Sequence, residues 1–431
     1  MRVGTDWKII GTVSLGSALE VYDFMIYALM APYIGVLFFP VADSDSSLLL
    51  TFAAFAVGYV SRPLGGIVFG HQGDRHGRKL PFTMTILVMA LSTFLIGCLP
   101  TWQQVGNMAP FLLVTLRLLQ GVSMGGETGG ALTYISEHEP RRQGVAVSAI
   151  VSGMFFGVLL GYIVHGLLVM VLGQDGIMQG GWRLVFWLGA VLGVIGYRMR
   201  SRFQETAIFC QVQEARQTAT VPLLEVFQNY KLHLFCGVIS LAIYSVTMLL
   251  LMVYLPSWMQ MNQPGSGVAF LGAMSAALMV LTVLAFGLLY DRIGAEKMIW
   301  IASLNNLLFG GVWYYLFIST PAFVWHLLPF ASVFVSLMAA AQIPMLAGLF
   351  PSRVRYTGLA LSYNIGFMLG GTTPLVSVWL NQVTEKAWTP GLLLVISGLA
   401  GLMLLKPLAR IWRTAPCHSP SKLTAKAQSK T

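Results

Sequence analysis

Residues 70–79 read Gly-His-Gln-Gly-Asp-Arg-His-Gly-Arg-Lys and stand between two apolar runs of membrane-spanning length. Gly70, Gly73 and Gly77, with Pro81 just beyond them, favour a tight reversal. Arg75, Arg78 and Lys79 would hold that turn at a negatively charged cytoplasmic surface, with Asp74 the one acid among them. A weaker echo, Gly-Leu-Leu-Tyr-Asp-Arg-Ile-Gly, fills residues 287–294, so Asp291 and Arg292 stand 217 positions after Asp74 and Arg75. Arg141, Gly144 and Ser148 recur as Arg355, Gly358 and Ser362, each 214 positions on. One design has been used twice.

With 56% hydrophobic and 10% charged residues over 431 positions, the chain is too apolar for a soluble domain and reads as a polytopic membrane protein. Its net charge of +10 does not point to nucleic acid, because of where the bases fall. Of 26 Lys and Arg, all but Arg62, Arg117, Arg183 and Lys386 lie in alternate loops or at the termini, which puts 22 on one side. That side is expected to be the cytoplasm, with both termini on it. The other side offers residues 40–47 with Asp43 and Asp45, then the uncharged stretches 100–109 and 261–265. Cys98, Cys210, Cys236 and Cys417 show no pairing pattern, so no disulfide framework is implied. The first apolar run carries two acids and no small-residue cleavage site, and is expected to remain as a span.

Runs of about twenty apolar residues are needed to cross the roughly 30 Å core of a bilayer. Twelve are expected, near 11–38, 47–70, 81–100, 110–136, 144–172, 182–200, 232–259, 266–289, 297–318, 322–349, 355–380 and 389–409. The expected fold class is an all-α polytopic membrane protein of twelve transmembrane helices in two pseudo-symmetric six-helix halves. The longest polar interval divides it into a half at 1–200, a linker at 201–231, a half at 232–409 and a basic, polar tail at 410–431. That tail has no periodic pattern and is expected to be disordered. Gly153, Gly157 and Gly161 recur every fourth residue, a stripe that lets helices approach closely, whether in static packing or between parts that move.

The spacing in residues 70–79, Gly, three residues, Asp-Arg, one residue, Gly-Arg-Lys, resembles the signature between helices two and three of the major facilitator superfamily. Arg117-Leu-Leu-Gln-Gly-Val-Ser-Met-Gly-Gly-Glu127, Leu19-Glu-Val-Tyr-Asp-Phe24 and the Arg198 to Phe209 stretch with its Glu-Thr are similar to the metabolite:proton symporter branch of that superfamily. The resemblance implies a secondary transporter working by alternating access, with no catalytic residues, no metal and no cofactor beyond the proton gradient. Its expected partners are protons, the lipid bilayer and a small organic acid or zwitterion, with a monomer as the working unit in a bacterial inner membrane. The branch carries di- and tricarboxylates, oxoglutarate, shikimate, and betaine or proline. The fifth span lacks the Gly-Pro-x-x-Gly-Gly element that exporters of the superfamily tend to carry, which favours uptake over proton-driven export.

An ionised side chain at bilayer depth costs at least about 2.5 to 3.5 kcal/mol, so it needs a partner and usually a purpose. Counting about 1.5 Å per residue puts Asp23 roughly 12 Å, Glu20 roughly 16 Å and Arg117 roughly 10 Å below the outer edge. Asp23 and Arg117 are therefore expected to meet, with Glu20 on the same face of its helix as Asp23. The same count takes Arg62 to roughly 22 Å and Glu127 to roughly 25 Å, a second expected ion pair. A carboxylate facing an arginine can be neutralised by a proton, which frees the arginine for an anionic solute and shifts the balance of states. The resemblance likewise implicates the matching acid, Asp23, and the matching arginine, Arg117, in coupling. It further implies that the loop of Gly70, Gly73, Asp74, Arg75, Gly77 and Arg78 acts as a latch, with Asp74 facing the start of the eleventh span near Arg355.

The second half has no charged residue inside a span except near the ends, so it is expected to contribute shape and neutral polar contacts. Tyr363 and Asn364 fall near midplane, where they could bind solute or join helices. Tyr27 and, more weakly, Tyr59 are further candidates for solute contact, while His165 counts to the outer edge of its span. Gly121-Val-Ser-Met-Gly125 matches the Gly-x-Ser-x-Gly pattern of serine hydrolases. No strand precedes Ser123 and no midplane histidine is available as a base, which weighs against an intramembrane hydrolase.

Overall fold

A chain in lipid must satisfy its backbone N–H and C=O groups internally, and helices do so segment by segment. The computed structural model describes residues 7–40, 54, 57–139, 142–215, 219–262, 268–320 and 324–414, and these are built of helices and short connections. The principal helices are α1 (Trp7–Leu29), α2 (Arg62–His76), α3 (Lys79–Cys98), α4 (Met108–His138), α5 (Gln143–Gly176), α6 (Trp182–Ser201), α7 (Lys231–Leu249), α8 (Val268–Ile293), α9 (Ala295–Asn305), α10 (Val324–Ala347), α11 (Arg355–Gly370) and α12 (Leu392–Thr414). Asp43, Asp45, the start of the second span, the stretch 263–265, Arg141 and the tail from residue 415 with Cys417 lie outside the described residues.

Nine described stretches are long and apolar enough to span a membrane, and one of them, Gln143–Ser201, contains both α5 and α6. The chain turns between those two where Gly173 (φ +64°) and Gly180 (φ +136°) adopt angles that a side chain would strain. The other two of the twelve are α2 and α11. The expected start of the α2 span falls partly outside the described residues. α11 is only 16 residues long and gives way near Gly371 and Thr372 before Thr373–Thr384 continues it.

Within the first half α1 lies along α5, α3 along α6 and α2 along α4; within the second, α7 packs on α11 and α12, α8 on α10, and α9 on α12. The halves meet where α5 crosses α8 and where α11 lies against α2 and α4. Gly65, Gly121 and Gly125 bring α2 and α4 backbone to backbone, since a Cβ there would run into the carbonyls of Val122, Gly58 and Arg62. Gly153 and Gly157 do the same for α5 against the carbonyls of Ser14 and Ala18 on α1. That stripe is therefore static packing inside one half. Close approach between halves falls instead to other glycines, among them Gly144 on α5 and Gly287 on α8, each facing the other helix, and Gly70 and Gly129, which face α11.

Candidate functional site

Asp23 on α1 and Arg117 on α4 are both fully buried, and the chain joins them through two neutral side chains. Thr93 of α3 donates to Asp23 Oδ2 at 3.0 Å, Gln120 Nε2 donates to Thr93 Oγ1 at 2.8 Å, and Arg117 Nη1 donates to Gln120 Oε1 at 2.7 Å. Each hydroxyl or amide accepts at one end and donates at the other, so the order Arg117, Gln120, Thr93, Asp23 is a single polarised line. The expected direct ion pair is replaced by this relay. Arg117 also lies over the rings of Tyr27, at 4.1 Å, and Phe24, at 4.8 Å, where a guanidinium is held by the ring faces. Glu20, one turn before Asp23, is buried, and neither of its carboxylate oxygens has a hydrogen-bond partner among the described residues. A cavity of about 10 Å³, on the scale of one water, is lined by Glu20, Asp23, Ser123 and Glu127 among others.

The second expected pair, Arg62 with Glu127, is corrected. Glu127 is ion-paired with Arg200 at the end of α6 and accepts from Thr85 Oγ1 at 2.5 Å. Arg200 also donates to the Phe82 carbonyl at 3.2 Å and lies 4.0 Å from the centre of the Phe82 ring. Gly16 of α1 leaves the space that its guanidinium occupies. The linear count gave depth but not direction around the helix axis, and Arg62 points toward α11, where its Nε donates to Asn364 Oδ1 at 3.1 Å. Asn364 in turn donates to the carbonyls of Gly125 at 2.8 Å and Ala360 at 2.7 Å, so it ties α11 to α4. Tyr363, beside it, presents its ring to Arg62 at 5.7 Å.

At the loop of residues 70–79, Asp74 accepts from the backbone N–H of Tyr356 at 3.1 Å and of Thr357 at 2.8 Å, in the first turn of α11. A carboxylate there compensates both the free amides and the positive end of the helix. Gly70 and Gly73 leave room for Thr357 and the Tyr356 ring, and Gly77 takes φ +119°. Arg78 is fully buried instead of facing the aqueous surface. It bridges Asp74 at 3.1 Å and Glu137 at 3.2 Å, donates to the Gly73 carbonyl at 2.5 Å and to the Ser352 carbonyl, and lies over Phe209 at 4.7 Å. Arg75 and Arg292 are exposed. In the second copy, Asp291 accepts from the N–H groups of Gly144 at 2.7 Å and Val145 at 2.9 Å at the start of α5. Each loop acid thus caps a helix of the opposite half. Asp74 lies beyond the apolar run that ends at Gly70, and burial pushes its carboxyl up to about 6 against the opposing pull of Arg78 and the two amides. By linkage, falling pH through that value favours the docked arrangement over one in which Asp74 is hydrated.

Ser123 is buried and donates to the Thr85 carbonyl, and its flanking Gly121 and Gly125 are the contact points of α2 with α4. The Gly-x-Ser-x-Gly spacing is here a packing pattern. Sequence reasoning missed the burial of Arg200, counted among the loop charges, as well as the roles of Thr93, Gln120, Glu137 and Glu205. A signal for Arg200 was present: Gly189, Gly193, Gly196 and Arg200 repeat at helical spacing and form one buried face of α6. Glu205, the acid of the Glu-Thr pair in the Arg198 to Phe209 stretch, accepts from the N–H groups of Arg78 at 3.0 Å and Lys79 at 3.2 Å.

The Major Facilitator Superfamily profile matches residues 13–371. The chain belongs to the Major Facilitator Superfamily. Among its curated relatives, a Staphylococcus aureus (strain MSSA476) protein assigned provisionally to proline/betaine transport is 33% identical over 92% of this chain and 87% of its own length. The proline/betaine transporter of Escherichia coli (strain K12) is 30% identical, and the glycine betaine/proline/ectoine/pipecolic acid transporter OusA of Dickeya dadantii (strain 3937) is 31% identical, each over 92% of this chain and 82% of the relative. The structure of the proton:xylose symporter XylE superposes with a TM-score of 0.75 at 16% identity over 95% of this chain and 96% of that one. That likeness establishes the twelve-helix fold. A member of this superfamily is a membrane transporter and not an enzyme, in keeping with the buried, hydrogen-bonded Ser123.

Proposed function

We propose that this Major Facilitator Superfamily transporter takes up a small carboxylate-bearing solute together with protons, by alternating access between halves at 1–200 and 232–409 joined by the linker 201–231. The observation that carries the reading is the line from Arg117 through Gln120 and Thr93 to Asp23. A proton on Asp23 removes the charge at one end of that line. The guanidinium at the other end then has less anionic charge to face and takes the solute carboxylate more readily. Glu20 is the second acid on the same helix face, and Tyr27, Tyr363 and Asn364 are the residues assigned in this reading to solute contact. The curated relatives named for proline and betaine favour a zwitterion over a di- or tricarboxylate.

The basic loops favour a cytoplasmic position for the side bearing residues 70–79, together with both termini, in a bacterial inner membrane. On that assignment the docking of Asp74 on α11 and Asp291 on α5 belongs to the state closed to the cytoplasm, and a monomer suffices for the cycle. The test is uptake by purified protein in liposomes under an imposed pH gradient, acidic outside. Accumulation of labelled proline or glycine betaine that collapses with the gradient supports symport, and solute driven the opposite way would convert the reading to export.

A further inference from the structure

The rings around Arg62 are arranged as a receptor for a cation. Tyr59, Tyr363 and Phe367 present their rings to its guanidinium carbon at 5.5, 5.7 and 5.4 Å, within the roughly 6 Å over which a ring face attracts positive charge. Tyr363 and Phe367 stack on each other at 4.7 Å, and Tyr244 closes on Phe367 edge-on at 5.7 Å, so these walls are braced by their own packing. Tyr59 comes from the first half and Tyr363 and Phe367 from the second. The box therefore exists only where the halves meet. Its other wall continues into the arginine already assigned to the carboxylate: Phe24 packs edge-on against Tyr59 at 4.8 Å and carries Arg117 on its face at 4.8 Å.

We propose that this aromatic box is the subsite for the ammonium end of a zwitterionic solute, and that the guanidinium of Arg62 fills it in the state described here. The proposal rests on the reading above, that Arg117 binds the solute carboxylate. A quaternary or secondary ammonium suits three ring faces, because its charge is spread over carbons and it asks for few hydrogen bonds. Arg62 and the solute cannot share the box, since two positive charges would repel. Tyr59 stays beside Arg62 when α2 and α11 part, so the box is vacated with the halves still together, by rotation of the long Arg62 side chain about its own bonds. Glu20, a buried carboxylate on α1 whose oxygens have no hydrogen-bond partner among the described residues, is the acid assigned here to receive it. The chain thus holds an internal competitor for its own cation site. A solute with a carboxylate and no ammonium would leave the box empty of positive charge once Arg62 has left, and would bind more weakly.

The experiment compares glycine betaine with 3,3-dimethylbutanoate, in which the ammonium nitrogen is replaced by carbon at nearly constant shape. Competition of each against labelled proline is measured with the purified protein in liposomes. The box predicts on the order of a tenfold advantage for betaine. That advantage shrinks in Tyr363→Leu, and it falls stepwise when residue 367 is replaced by phenylalanines of increasing ring fluorination, which drain the ring face while keeping its shape. The fluorinated series guards against a Tyr363→Leu protein that fails to fold. Equal competition by the two solutes, unchanged along the fluorinated series but abolished for both by Arg117→Lys, would overturn the box and leave carboxylate transport standing. Competition by neither solute, with no uptake of proline, would overturn the transport reading and the box with it.

Discussion

Glu127 of α4 and Asn306 at the end of α9 are both fully buried within their own half, yet one is an ion held by Arg200 and the other an amide that donates to Thr247 at 2.8 Å and Ser397 at 3.0 Å. The contrast extends to the whole molecule. Among the described residues every buried charged side chain, from Glu20 and Asp23 through Arg62, Arg117 and Glu127 to Arg200, lies in the first 200 positions. The second half is joined by neutral groups, such as Ser240 with Gln342, Asn381 with Tyr254 and Thr282 with Ser336. A duplicated design has thus been filled in two ways. Neutral hydrogen bonds hold helices together in hydrocarbon at modest cost, whereas buried charges are retained where their ionisation can change. On the proposed symport reading the first half responds to protons, and the second supplies walls and a partner surface.

Substitutions in each half test this difference. Removing one member of a buried pair leaves the other charge unmatched, so Arg200→Leu is expected to lower stability by about 3–5 kcal/mol. Unfolding of the purified protein in detergent would measure it, and the double variant Glu127→Leu/Arg200→Leu should recover most of the loss. A next, smaller effect separates the two loop acids. Asp74 is completely buried, binds Arg78 and caps α11, while Asp291 is exposed and caps α5. Asp74→Asn, which removes charge-assisted bonds of about 1.5–3 kcal/mol, should slow turnover several-fold while expression holds, and Asp291→Asn should slow it less. Equal initial uptake rates in both variants and the parent would count against a latch. The smallest effect is expected from Asn306→Ala, at about 1–2 kcal/mol of stability and with the pH dependence of transport unaltered. A shifted pH profile in that variant would break the division of labour between the halves.

Much of this was legible in the sequence because membrane burial leaves coarse marks. Apolar run length gave the helices, the paired Asp-Arg loops gave the two halves, and the depth of Asp23 and Arg117 placed them at one level. Depth along a helix is fixed by residue count, but direction around it is not. That is why Arg62 was assigned to Glu127 when its side chain turns to α11 and Asn364. Charge placement misled in the same way at Arg78 and Arg200, which lie in basic stretches near helix ends yet face acids in the interior. Thr93 and Gln120 were invisible for another reason. A hydroxyl or amide in a span is ordinary helix glue until the partners on both of its sides are known.

The central claim is that protonation of Asp23, transmitted along Thr93 and Gln120 to Arg117, links the proton gradient to the solute. Asp23→Asn tests it most directly, because amide and carboxyl differ little in shape and only one of them titrates. In liposomes holding the purified variant, labelled proline or glycine betaine should still exchange across the membrane at zero gradient, and an imposed pH gradient should no longer drive accumulation. Accumulation in the variant that follows the gradient as steeply as in the parent would contradict the account.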